Sequence, residues 1–175
     1  MANREALREL QTRLAERLQL ARTESRSASW LAVECGHAGF LVSLTGAGEI
    51  FSVGTLLPVP HTRPWFLGVA NLRGGLHGVV DLAAFLGLRT GLLADAPREQ
   101  ARLLALNGTL GAHCALLVDR LSGLRSAEQL SAEPDDGRPH PAFASARWRD
   151  AEGRIWQELD LSMLARHEHF LGIAA

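Results

Sequence analysis

Between Asn3 and about Thr23, Leu7, Leu10, Leu14, Leu18 and Ala21 recur three and four residues apart. That spacing aligns side chains on one face of an α-helix. Asn3 is placed to cap it, Glu5 falls in the first turn where the helix dipole favours a negative charge, and Glu9 lies four residues before Arg13. A leucine stripe this narrow is marginal alone in water, so it must be covered, by the chain's own body or by a partner helix. Glu24–Ser29 reads as a polar linker. Residues 1–29 are therefore expected to form a helix and linker ahead of a domain spanning 30–175.

From Trp30 to Leu159 the pattern changes to short apolar runs broken by glycine-bearing turns. "WLAVEC" and "FLVSL" flank "GHAG", and "ARLLALN" and "AHCALLVD" flank "GTLG". "ARWRD" and "RIWQEL" flank "AEG", with Trp148 and Trp156 as expected cross-strand anchors. Turns at short intervals without a second long helical pattern favour a barrel or sandwich over βαβ units. Asp81–Gly87 reads as one or two helical turns, capped by Asp81 and stopped by Gly87. Ser126–Ala142, polar and proline-rich, reads as an exposed loop. After it, Asp160 caps a closing helix whose apolar face is Leu161, Met163 and Leu164.

Composition narrows the function classes. The 175 residues are 47% hydrophobic and 21% charged, the balance of one globular domain. Eighteen basic residues, all arginines, face nineteen acidic ones, so no global charge favours nucleic acid or anionic lipid. The N-terminus is polar where a signal peptide would be apolar. The longest uncharged run, Leu103–Val118, is too short and too polar to span a bilayer. Two cysteines, Cys35 and Cys114, make no disulfide scaffold, and the simplest expectation is a reduced cytoplasmic protein.

Candidate chemistry thins out quickly. Gly68–Val80, "GVANLRGGLHGVV", holds glycines without the spacing, the lysine or the following helix of a phosphate loop. His167 and His169, two apart, would point about 200° apart on a helix and read as surface histidines. A zinc site joining Cys35, His37, His113 and Cys114 would need two hairpins to meet and lacks the usual close cysteine spacing. No serine sits in a glycine-flanked elbow. Glu49, Asp81, Asp119 and Asp160 each end an apolar stretch, where capping is the default role. The expectation is no catalytic residue, no metal and no cofactor.

As strand chemistry the glycines make sense. Gly68 fits a bulge or close backbone approach. Asn71 and Gly74–Gly75 favour positive φ and hence a turn, and Gly78 allows close packing of the next strand. Arg73 sits between the strands, either capping carbonyls or pairing with Asp81, or else offered to a partner.

"GVANLRGGLHGVVDLAAFLGL" resembles the signature of CheW-type coupling proteins. "LAVECGHAGFLVSLTGAGEIF" is similar to the family's first hairpin and following segment, and "LLALNGTLGAHCALLVDRLSGL" to its second hairpin. "LPVPHTRPWFLGVANLRG", the N-terminal helix and the closing "FLGIA" are similar in particular to the form serving type IV pilus twitching systems. The chain departs from the pattern at Gly78, where the family usually has proline. The resemblance implies a mainly β fold of two packed five-stranded SH3-like barrels, flanked by the N-terminal and closing helices, without catalytic activity. It implies a cytoplasmic adaptor recruited to receptor arrays, between a methyl-accepting chemoreceptor tip and the regulatory domain of a CheA-type histidine kinase. No nucleic acid and no direct membrane insertion are implied. The matching partner-binding positions are Asn71, Leu72, Arg73, Gly74, Glu49, Asp119 and Arg120.

Overall fold

The computed structural model describes residues 28–89, 99–134, 137 and 139–175. The helix expected over Asn3–Thr23 and most of the linker after it lie outside the described residues. Strands β1 (Ala28–Cys35) and β2 (Ala38–Ser43) form the first expected hairpin, turning at Gly36 with φ +61°. β3 (Ala47–Ser52) follows, then β4 (Phe66–Leu72), β5 (Gly75–Asp81) and the single turn of α1 (Leu82–Phe85). β6 (Arg102–Leu106) and β7 (Cys114–Val118) make the second hairpin, joined through a 3-10 turn at Gly108–Leu110. β8 (Arg120–Ser126), β9 (Ser131–Glu133), β10 (Ala144–Arg149) and β11 (Ile155–Leu159) precede the short helices α2 (Leu161–Arg166) and α3 (Glu168–Leu171).

The strands divide into two sheets, in the orders β8-β1-β2-β11-β10-β9 and β3-β6-β7-β5-β4. The fold is mainly β, as expected. The first sheet has six strands where five were expected, the addition being the three-residue β9. β9 also corrects the reading of Ser126–Ala142 as loop throughout. Ser126 and Gln129 cap each other's backbone, Leu130 is buried, and both Glu133 carboxylate oxygens accept from Arg149 at 2.8 Å. A run of polar residues thus conceals one inward leucine and one bidentate ion pair, enough to hold an edge strand.

Alternation along the strands sorts side chains into three clusters. Leu31, Val33 and Val42 of the first sheet meet Val80, Leu104 and Leu116 of the second in a shared core, closed by Trp65, α1 and the C-terminal helices. The second sheet's opposite face holds an aliphatic cluster that includes Leu72, Val79, Leu103 and Leu117. The first sheet's opposite face holds Ala32, Leu41, Leu130 and Trp156, flanked by Trp30 and Trp148. Trp148 and Trp156 are directly opposite in β10 and β11, as the hairpin pattern anticipates. Three indole N–H groups on this face donate to carboxylates: Trp30 and Trp148 to Glu158, and Trp156 to Asp150.

The caps expected at Asp81 and Asp160 form, Asp81 accepting from the Ala84 N–H and Asp160 from those of Ser162 and Met163. The closing helix departs from expectation in two respects. Leu161 and Leu164 are buried but Met163 is exposed, and the helix breaks at His167, which ends α2 and begins α3. The break changes the setting of both histidines: the His169 ring stacks on Phe85, and His167 meets Phe143 edge-on.

Candidate functional site

The β4–β5 hairpin turns in two residues, Arg73 at φ +49° and Gly74 at φ +82°, the backbone twist that matches flanking strands. Asn71 and Gly75 stay within their strands, so the positive φ expected of them falls on Arg73 instead. Asn71 serves the turn with its side chain: its Oδ1 accepts from the Gly74 N–H at 2.8 Å. The base of the hairpin is held by Gly68, at φ +120°, where any Cβ would collide with the Leu57 carbonyl oxygen. That approach lets Leu57 and Val69 exchange backbone hydrogen bonds of 2.8 and 2.9 Å. A Cβ on Gly78 would lie 3.0 Å from the Phe66 ring, so the close packing expected there is observed.

Leu72 is buried and anchors the turn, while Arg73 projects outward with its side chain 76% exposed. Its guanidinium pairs with Glu49 at 3.0 Å, not with Asp81 as one reading had it. Glu49 lies on β3 and Arg73 at the tip of the β4 hairpin, and β3 and β4 are opposite edges of one sheet. The ion pair therefore spans the sheet's open mouth. Beside it lies an open groove of about 300 Å³, lined by Glu49, Phe51, Leu72, Arg73, His77 and Asn107 among others. Leu76, 64% exposed and opposite Asn71 across the hairpin, adds an apolar neighbour that the sequence reading missed.

Asp119 and Arg120 belong to a different place. Asp119 accepts from the Gly36 N–H at 2.6 Å and from Arg89, whose guanidinium also bonds Asp81 at 2.9 Å. Arg120 donates to Glu34 at 2.6 Å, and Arg154 and Ser122 donate to the same oxygen. Burial alone would raise the Glu34 pKa, but the hydrogen bonds from Arg154, Ser122 and Arg120 outweigh it and hold the group at about 2. Of the seven expected positions, Asn71, Leu72, Arg73, Gly74 and Glu49 come together, whereas Asp119 and Arg120 fasten β7 and β8 to β1. Sequence reasoning missed Arg89 and Glu34. A signal existed, because "VVD" and "LVD" end the neighbouring parallel strands β5 and β7 and set two aspartates near one cation.

Cys35 and Cys114 are free and buried. Burial pushes the Cys114 thiol up to about 12 and raises that of Cys35 as well, so both stay protonated. Among the described residues no group of three or more His, Cys, Asp or Glu side chains forms a metal cluster, and no helix is long and apolar enough to cross a membrane.

Residues 29–169 match the CheW-like domain. The chain is 28% identical over 168 residues to protein PilI of Pseudomonas aeruginosa, covering 93% of this chain and 89% of that protein. It is 29% identical over 115 residues to the chemotaxis protein CheW of Rhizobium meliloti, covering 66% of this chain and 68% of that one. Its fold resembles the crystal structure of the scaffolding protein TtCheW from Thermoanaerobacter tengcongensis. The TM-score is 0.62 at 15% identity, over 77% of this chain and 89% of the other.

Proposed function

This chain belongs to the CheW-like family, and on that premise we propose that it is a non-catalytic adaptor coupling a methyl-accepting chemoreceptor to a CheA-type histidine kinase. The output we assign is type IV pilus twitching motility. Support for that output is the similarity to PilI over 93% of the chain, together with the "LPVPHTRPWFLGVANLRG" form noted above. The observation that carries the coupling role is the Arg73 turn: a hairpin tip, braced by the Asn71 side chain, that holds an exposed guanidinium beside an exposed leucine. Arginine next to apolar surface on a preformed backbone is the composition of an interface hot spot.

An adaptor of this kind works by binding. The receptor tip and the kinase regulatory domain each contact the chain, and a signal passes only if those contacts differ in free energy between two arrangements. Asn71, Leu72, Gly74 and Glu49 shape and flank the contact at Arg73, while Asp119 and Arg120 mark a second contact at the separate β7–β8 junction. The protein works in the cytoplasm at the receptor array. Calorimetric titration of the full chain with a receptor cytoplasmic tip and with a kinase regulatory domain tests this reading. Saturable binding to both is expected, and binding to neither would end it. Loss of twitching but not of swimming in a deletion strain separates the pilus output from a flagellar one.

A further inference from the structure

His77 on β5 and His113, the residue before β7, lie at the same end of the second sheet. Gly78 and Cys114 pair in the parallel β5–β7 ladder, and the Gly78 N–H bonds the His113 carbonyl at 3.0 Å, so the two histidines lie side by side. Val79 and Ala115, two residues further along, face the aliphatic cluster, which puts both imidazoles on that face near its open end. Their ring centres are 6.0 Å apart. Two imidazoles that share a tetrahedral ion at 2.0–2.1 Å from each nitrogen place their ring centres about 5 Å apart. A small side-chain rotation closes the difference, and His113 is exposed enough to make it.

The His77 ring is prepared for such a role. Its Nδ1 lies 3.0 Å from the Gly75 carbonyl oxygen, an acceptor only, which commits the proton to Nδ1 and leaves the Nε2 lone pair free. A backbone carbonyl on the far nitrogen is the usual orienting partner of a metal-bound histidine. Gly75 also makes room for the ring, since a Cβ there would lie 3.1 Å from the His77 Cε1 atom. Cys114 is no competitor, its side chain being buried in the shared core on the sheet's other face.

We propose that His77 and His113 form a two-histidine site for a borderline divalent transition-metal ion at the mouth of the second sheet, with water completing the coordination. Zinc chloride titrated calorimetrically into the full chain, above the pH range where imidazole is protonated, tests it. One ion per chain is expected, with the His77 Nε2 resonance shifting on binding. H113A, at an exposed position, and H77A should each weaken binding at least ~10-fold. H167A/H169A, which removes the other close histidine pair, should leave it unchanged. Wild-type affinity in H113A and H77A, loss of binding only in H167A/H169A, or no binding up to about 1 mM zinc would each overturn the proposal. No receptor or kinase takes part, so the outcome is independent of the adaptor reading.

Discussion

Arg89 and Arg73 are both arginines bonded to carboxylates, but one is folded into the protein and the other is displayed by it. The Arg89 side chain is 17% exposed and bridges Asp81, itself 3% exposed, to Asp119. Asp119 in turn holds the β1–β2 turn through the Gly36 N–H, so one guanidinium fastens the second sheet to the first. Arg73 and Glu49 are 76% and 53% exposed and meet at 3.0 Å in full contact with solvent. Low dielectric strengthens the first arrangement and makes its rupture costly, whereas solvent screens the second until a partner displaces it. The lesson is that an ion pair's burial decides whether it serves the fold or the surface.

Removing Arg89 should break this contrast most severely. Arg89→Ala leaves the buried Asp81 carboxylate without its cation, and a cost of about 3–5 kcal/mol is expected in denaturant unfolding. A loss below about 1 kcal/mol would mean that the junction behaves like a surface pair.

Acid should act on the buried side of the comparison as well. The Glu34 carboxyl is held at about 2, against an ordinary 4.5, by Arg154, Ser122 and Arg120. Its folded pKa is depressed, so its stabilisation is fully present above pH 4.5 and is lost as pH falls from there towards 2. Glu34→Gln should remove that part of the slope in stability against pH, as followed by thermal melting at several pH values.

On the exposed side the effects on folding should be slight. Glu49→Gln is expected to cost less than about 0.5 kcal/mol, and added salt should erase even that difference. A larger, salt-insensitive loss would place the Arg73–Glu49 pair with the structural pairs.

The hairpins were legible because their information is local: apolar runs, a glycine turn, and tryptophans at matched distances from that turn. The Arg73 turn was legible for the same reason: of Asn71, Gly74 and Gly75, expected at positive φ, only Gly74 adopts it, with Arg73 as its neighbour in the turn. Glycine tolerates that conformation but does not require it, and the two-residue count between Leu72 and Gly75 decides where it falls. Contacts between distant segments were not legible. Arg89 lies 30 residues from Asp119, and Glu34 lies 120 from Arg154, separations over which no periodicity carries a signal. β9 was hidden by its polarity, because an edge strand that faces water reads like a loop. The same limit hid the contacts that Asp119 and Arg120 make with Gly36, Arg89 and Glu34. The resemblance carries them and Arg73 in separate segments, and the fold likewise sets them at separate places.

The most direct test is Arg73→Ala, followed in parallel by thermal unfolding and by calorimetric binding to a receptor tip and to a CheA-type kinase regulatory domain. A displayed guanidinium predicts an unfolding free energy within about 0.5 kcal/mol of wild type and a loss of about 2 kcal/mol in affinity for at least one partner. Unchanged affinity for both partners, or a drop in stability like that of Arg89→Ala, would contradict it.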